Sequence, residues 1–513
     1  MSRKIIAYDL GTGGNKASLY DSDGSCLANA FIPYDTYYPR TGWHEQSPMD
    51  WWDSIILSTR KLLQERKIDP RDIVCVSISG HSLGVVPVDR QGNLLRDRTP
   101  IWSDTRPEKQ VREFFENTDR DKWYITTGNG FPPECYTVFK VMWYRDNEPD
   151  MYSRVFKIIG TKDFINFKMT GQIKTDYSYA SGCGVYDLEN WGYSTGLIKA
   201  GGIPEEILPD IVPSTGIIGE LTKEAADALG LSRKVMVACG GVDNSCMALG
   251  ARNIAEGRVY TSLGSSAWIA VSSKNPVLDI EKRPFVFTHV IPGMFTSAVS
   301  IFSAGSSLKW VRDHLCANLQ KEASEKGVDV YEFMGEIACR SPVGSNKLLF
   351  DPSLAGGSSQ DPSPHIRGGF SGLDLGHSQP DIIRSCMEGV AMNLGLVLDV
   401  LRKFCSLSEE MMMVGGGSRS SVWRRIFADV YNMDIIKTNI GEDAGSLGAA
   451  AVGAVGSGMW KDFSRIDDVH RILETVKPVK TDVEKYRKIR RAFECLRNCQ
   501  KEVGELLHGI ELS

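Results

Sequence analysis

An acid beside a turn of glycine and small hydroxyl residues constrains this chain more than any other feature, and the arrangement occurs twice. The first copy is Tyr8-Asp9-Leu10-Gly11-Thr12-Gly13-Gly14-Asn15-Lys16. The second is Tyr260-Thr261-Ser262-Leu263-Gly264-Ser265-Ser266, with Asp243 upstream. Apolar runs enter and leave both turns. Such a turn brings backbone N–H groups and hydroxyls against an anion, and phosphate is the obvious one. Two copies about 250 residues apart suggest two related halves gripping one nucleotide.

A chain of 513 residues is too long for one hydrophobic core, so two domains are expected. The break falls near residues 251–257, giving domains 1–251 and 252–513. The net charge of −5 lacks the basic excess of a nucleic-acid binder. Met1-Ser2-Arg3-Lys4 runs directly into the strand-like Ile5-Ile6-Ala7-Tyr8, without the apolar stretch of a signal peptide. No run is long and apolar enough to span a bilayer. The twelve cysteines form no C-x-x-C and the eight histidines no H-x-x-x-H, which argues against zinc and for free thiols. A cytoplasmic protein with neither nucleic-acid nor membrane partner is expected.

Ile5–Leu10, Lys16–Tyr20 and Cys26–Phe31 read as a meander, and residues 50–66 as a helix with Trp51, Trp52, Ile55, Ile56 and Leu63 on its core face. Ile73–Ile78 is a buried strand that runs into Gly80-His81-Ser82-Leu83-Gly84. The end of an apolar strand is a usual ligand site in α/β folds, and a bare turn is the alternative. Lys234–Ala238 is another strand, followed by Gly240-Gly241-Val242-Asp243-Asn244 and a helix over Ser245–Gly250. Arg258–Ser272 is a second hairpin, residues 351–372 a surface loop, and Asp381–Leu401 a helix. Met411–Val414 is a strand that ends in Gly415-Gly416-Gly417-Ser418, with a helix over Ser421–Tyr431. Ala444–Val455 is small and apolar, suited to a helix packed very close to a neighbour. Asp482–Leu507 is an amphipathic basic helix with a solvated face.

Other nucleotide motifs are excluded. There is no G-x-x-x-x-G-K-[ST] and no G-x-G-x-x-G. Asp9 suits either a turn cap or a carboxylate that holds Mg²⁺. Lys16 suits either a solvated strand or a phosphate contact. Asp243 suits either a helix cap or a base that accepts a hydroxyl proton during phosphoryl transfer, a reaction that needs little beyond positioning and charge neutralisation.

At this point the chain resembles the FGGY carbohydrate kinases. Asp9 to Lys16 resembles the family's first phosphate motif, especially its xylulokinase form. Gly42-Trp43-His44-Glu45-Gln46 with Trp51-Trp52 resembles an early segment, and Trp102-Ser103-Asp104-Thr105-Arg106 the W-N-D-x-R motif. Gly240 to Asn244 resembles the segment with the catalytic Asp. Gly368-x-Phe370-x-Gly372-Leu373 with Asp381-Ile382 follows the C-terminal motif, and Gly415 to Ser418 with Trp423 and Asp429 the adenosine motif. The resemblance implies an α/β chain of two ribonuclease-H-like (actin-like ATPase) domains flanking a deep cleft. It also implies ATP, Mg²⁺ and a sugar or polyol substrate, with a homodimer frequent among such proteins. Asp243 would be the general base, and Asp9 and Asp243 would face the metal. Gly11, Thr12, Gly13, Asn15 and Lys16 would line the phosphates, with Ser262, Gly264 and Ser265 opposite. Gly305, Lys309, Gly416, Gly417 and Ser421 would flank the nucleotide. His81, Ser82, Leu83, Trp102 and Asp104, together with Asp243, would meet the substrate.

Ser82-Leu83 departs from the Met-His of xylulokinases and the Arg-Glu of glycerol kinases. Gly356-Gly357-Ser358 stands where the family often has G-E-R. His289 to Met294 with Trp310 also resembles the quorum-signal (autoinducer) kinase branch. A ketopentose such as D-xylulose ranks first, because Asp9 to Lys16 matches that branch best. A non-catalytic sugar sensor and a protein-binding ATPase are the competing classes. The retained Asp9, Thr12 and Asp243 favour an enzyme, and the tryptophan motif favours the sugar branch.

Overall fold

Apolar residues fill the first strand almost without a break, and a strand buried on both faces belongs inside its sheet. Lys4–Gly11 pairs antiparallel with Gly14–Asp21 on one side and parallel with Ile73–Gly80 on the other. The structure is a computed structural model that describes residues 3–358, 361 and 363–510. The chain forms two compact units. The first comprises Met1–Ile254, Ser272–Ser297 and Asp443–Val469, and the second Ala255–Val271, Ala298–Glu442 and His470–Ser513.

In the first unit the sheet order is Ile217–Glu220, Met236–Ala238, Ile73–Gly80, Lys4–Gly11, Gly14–Asp21, Cys26–Pro33. The short strand Gly241–Val242 also pairs parallel with Ile73–Gly80. Parallel register puts Asp9 beside Ser79 and Ser79 beside Gly241, so three strand ends converge. Helix Pro48–Arg66 covers one face of the sheet. Ser47 caps it by accepting from the Asp50 N–H, and Trp51, Trp52, Ile55 and Leu62 enter the core. Helix Ala444–Gly456 packs on the first strand and Ile73–Gly80, and against helix Asp243–Gly250. Its small residues make this possible: a Cβ on Gly448 would stand 1.9 Å from the Cys246 carbonyl oxygen. The close packing expected of residues 444–455 is present.

The second unit repeats this plan. Val259–Leu263 forms a hairpin with residues 267–271 and pairs parallel with Glu410–Val414. Asp434–Thr438 adds in parallel and Ile472–Val476 antiparallel. The helix expected over Asp381–Leu401 runs over Gln379–Phe404, started by the capping box of Ser378 and Asp381.

The expected surface loop over 351–372 is partly interior. Asp351, Ser353, Ser358, Ser363 and Ile366 are buried, whereas residues 359, 360 and 362 lie outside the described residues. The anchor is Arg497 on helix Lys480–His508, which donates to Asp351 Oδ1 at 3.1 Å and Ser353 Oγ at 3.2 Å and also pairs with Asp361. Among the described residues no helix is long and apolar enough to cross a membrane.

Candidate active site

Gly11 pairs with Gly14, which leaves Thr12-Gly13 as a two-residue turn. Its carbonyls are committed to protein: Tyr34 Oη donates to Gly11 O, and Gln46 Nε2 to Thr12 O at 2.7 Å. Gln46 is held in turn by Trp51 Nε1 at 3.0 Å. Trp102 Nε1 donates to Thr12 Oγ1 at 2.9 Å and remains 37% exposed beside the turn. With its oxygens tied back, the turn can present its N–H edge to an anion. A Cβ on Gly13 would meet nothing within 4 Å, so the turn is open on that side.

Asp9 and Asp243 stand at the converging strand ends. Asp9 Oδ1 accepts from Ser79 Oγ at 2.8 Å. Lys16 lies opposite Asp9 in the hairpin register and pairs with Asp443, the residue just before helix Ala444–Gly456. Loss of water raises the Asp9 pKa, and the Asp443 charge adds to this, while Ser79 and Lys16 oppose it. Asp243 opens helix Asp243–Gly250, and its Oδ1 accepts from Asn244 N at 2.8 Å and Asn244 Nδ2 at 3.0 Å. Desolvation and then the Asp9 charge push the Asp243 pKa from 3.8 up to about 7, against the Asn244 hydrogen bonds. A carboxylate whose charge raises that of a neighbouring carboxylate suits a shared hard cation. Mg²⁺ takes one or two carboxylates and completes its shell with water and phosphate. Asp9 and Asp243 therefore fit that ion. Among the described residues no group of three or more His, Cys, Asp or Glu could hold a metal ion by itself.

Several expected site residues turn elsewhere. Asn15 is buried under helix Pro48–Arg66, where its Nδ2 donates to Ser58 Oγ at 2.9 Å, so its side chain does not line the phosphate turn. Pleating is the reason: adjacent residues point to opposite faces, and Lys16 takes the face of Asp9. His81 is buried edge-on to Trp51, and desolvation lowers its pKa to about 4, which keeps it neutral. Leu83 has a φ of 60° and enters a core with Val138, Phe139 and Tyr186, so it offers a substrate no surface. Ser82 beside it is buried. Asp104 is buried in a forked ion pair with Arg106, at 2.7 Å to Nη2 and 2.9 Å to Nε, and accepts from His44 N at 2.7 Å. It braces the Trp102 segment from within. Of the six residues expected at the substrate, Asp243 included, Trp102 alone is exposed.

In the second unit, Gly264, Ser265 and Gly305 come together. Gly305 N donates to Gly264 O at 2.9 Å, and Ala304 N and Ser306 N donate to Ser265 O at 2.9 and 3.1 Å. This turn, like the first, has its carbonyls bound from behind by protein. Gly417 packs on the Leu263 side chain, where a Cβ would come within 2.4 Å. Gly416 is exposed beside it, and Ser421 starts the helix that Ser420 caps. Lys309 is exposed on helix Gly305–Trp310. Ser262 is buried.

Ser79, Gln46, Tyr34 and Asp443 were missed in the sequence. Asp443 had a signal, because an acid directly precedes a helix of small residues.

Paired strand-end turns and facing carboxylates in a duplicated α/β plan define a phosphoryl-transfer type of protein. The N-terminal domain of the FGGY family of carbohydrate kinases matches residues 4–250, and the C-terminal domain matches residues 259–457. The chain belongs to the FGGY family of carbohydrate kinases and is a sugar kinase. It is 28% identical to a xylulose kinase of Staphylococcus xylosus over 485 residues, 94% of this chain and 97% of the relative. It is 27% identical to a gluconokinase of Bacillus licheniformis over 500 residues, 96% and 95% of the two chains. The crystal structure of a xylulose kinase from Rhodospirillum rubrum superimposes with a TM-score of 0.87 at 26% identity, covering 98% of this chain and all of that one.

Proposed function

We propose that the chain transfers the γ-phosphoryl group of ATP to a hydroxyl of a neutral sugar, with D-xylulose the first candidate. The observation that carries this reading is Asp243: a carboxylate raised to about 7, beside Asp9, at the end of three parallel strands. Asn244 holds Oδ1, and Oδ2 is the oxygen we assign to the substrate hydroxyl. As the sugar oxygen attacks phosphorus, Asp243 takes its proton, and a base with a pKa near the working pH does this best. The Thr12-Gly13 turn holds phosphate oxygens through its N–H groups. Trp102 offers an apolar face to the sugar ring or chain. In the second unit the Gly264, Gly305 and Gly417 surface receives nucleotide. Mg²⁺, held by Asp9 and reached from Asp243 only through water, would neutralise phosphate charge when bound.

Gluconate is the second reading, because a gluconokinase is among the relatives. A sugar acid calls for a cation at the substrate. Arg106 is engaged by Asp104 and Glu45, and Lys16 by Asp443, which favours a neutral substrate. ADP release should be measured over D-xylulose, other pentuloses, hexuloses, polyols, an autoinducer-type ligand and D-gluconate, with Asp243→Asn as the second arm. D-xylulose should give the highest kcat/KM, and Asp243→Asn should lower turnover by about 10²–10⁴-fold with ATP binding largely kept. Preference for D-gluconate would overturn the substrate, and near-parental turnover of Asp243→Asn would overturn the base.

A further inference from the structure

We infer that Ser178, held by Asp176 and Lys162, is a positioning residue for Asp243; this rests on reading Asp243 as the general base. Asp243 has no rigid strand of its own to stand on. It follows Cys239-Gly240-Gly241-Val242, a segment whose only strand is two residues long. Gly240 has a φ of 77°, and a Cβ there would stand 2.2 Å from the Ile78 carbonyl oxygen. A Cβ on Gly241 would stand 2.5 Å from Val290 and 3.2 Å from Ser178 Oγ. The segment is therefore built of residues that do not stiffen themselves, and its fixed points come from elsewhere.

Those fixed points converge on one buried cluster. Lys162 Nζ lies 2.5 Å from Asp163 Oδ1 and 3.0 Å from Asp176 Oδ1, and donates to Cys239 O at 3.3 Å. Asn166 Nδ2, one helical turn on, donates to the same carbonyl at 2.8 Å. Asp176 Oδ2 accepts from Ser178 Oγ at 2.5 Å, Ser178 N at 2.9 Å and Ser214 Oγ at 2.7 Å. Ser178 Oγ in turn accepts from Val242 N at 2.9 Å. All of these side chains are buried.

The direction of this chain follows from donor and acceptor inventories. A serine hydroxyl has one proton and two lone pairs. The Val242 N–H can only donate, so Ser178 Oγ accepts there through a lone pair and donates its own O–H to Asp176 Oδ2. Val242 is the N-cap of the helix that Asp243 opens. The hydroxyl rotor is thus locked by a buried ion pair, and the lock ends one residue before the base. Networks of this kind hold geometry in proportion to how completely they are satisfied.

The test compares Ser178→Ala, Ser178→Thr and Asn166→Ala with the parent in the full chain. The assays are steady-state kinetics with D-xylulose and ATP, thermal melting for the folded fraction, and Asp243→Asn in parallel. Ser178→Ala should lower kcat by about tenfold or more, with both KM values within about twofold, because misplacing a reacting group penalises the transition state more than binding. Ser178→Thr, which keeps the hydroxyl, should recover most of that loss, and Asn166→Ala should show the same kcat-selective pattern. A parental kcat for Ser178→Ala alongside an inactive Asp243→Asn would overturn the positioning role alone. A kcat loss matched by a loss of folded protein would overturn it too. A parental Asp243→Asn would overturn the general-base reading and the inference with it.

Discussion

The contact between helices Asp243–Gly250 and Ala444–Gly456 gives a test in which geometry sets the magnitude. A Cβ on Gly448 would lie 1.9 Å from the backbone oxygen of Cys246, and contacts under 3.0 Å are not sustained, so the helices must part by at least 3.0 − 1.9, or about 1.1 Å, in Gly448→Ala. A carbonyl oxygen cannot swing aside as a side chain can. Overpacking of this kind costs about 1–3 kcal/mol, and alanine returns about 1 kcal/mol of helix propensity. The net loss of about 0–2 kcal/mol lowers the melting temperature by a few degrees in a unit of this size. Activity should suffer far more. Cys246 lies within one helical turn of Asp243 on the same short helix, so the shift reaches the proposed base. A misplacement of about 1 Å costs up to about 10²-fold in rate. The expected result is a fall in kcat of one to two orders of magnitude from a protein that still melts cooperatively. Gly453→Ala is the graded comparison: its Cβ would stand 3.1 Å from Ser77 Cβ, which a few tenths of an ångström relieve, and its kcat should stay near the parent's. Coupled ADP-release kinetics and thermal melts on the three proteins decide the matter. A Gly448→Ala protein within about threefold of the parental kcat would refute the claim that this contact fixes the base.

With Asp243 raised to about 7 and proposed as the base, it should hold its proton below that pH; kcat/KM should rise through about pH 7 and then flatten, and a flat profile between about pH 5.5 and 8 would count against the proposal. The same shift has a stability sign: the folded state holds this proton more tightly, so Asp243 favours folding most below its usual 3.8, and that contribution is lost as pH rises to about 7, as urea titrations in that window should show. Asp9→Asn removes the charge that helps raise Asp243, so the acid limb of the profile should move to lower pH while kcat falls by about tenfold or more. Arg497→Met should destabilise the second unit by about 3–5 kcal/mol in urea unfolding, since Asp351 and Asp361 would be left buried and unpaired.

The sugar-kinase class was readable in the sequence because its motifs lie at strand ends, and strand ends are local. Asp9 follows an apolar run directly, Asp243 follows one across a pair of glycines, and the Thr12-Gly13 turn is bracketed by glycines. Helix Pro48–Arg66 begins at a Ser-Pro pair that any helix start rewards. What could not be read is which face a side chain takes once its partners are distant. Asn15 and Lys16 are neighbours, and both looked like turn residues. Pleating alone separates them, and the choice of face is made by Ser58, 43 residues away, and by Asp443, 427 residues away. Leu83 shows the same limit in another form. Its left-handed backbone turns the side chain into a core completed by residues of later elements, which no local pattern announces. Asp104 was within reach: Arg106 two residues on is a ready fork for a carboxylate, and a charged pair so close in sequence more often braces a loop than meets a ligand. Substrate choice therefore falls to groups that the strand-end pattern cannot rank, and the exposed indole of Trp102, tied to Thr12 by its N–H, is the first place to look for it.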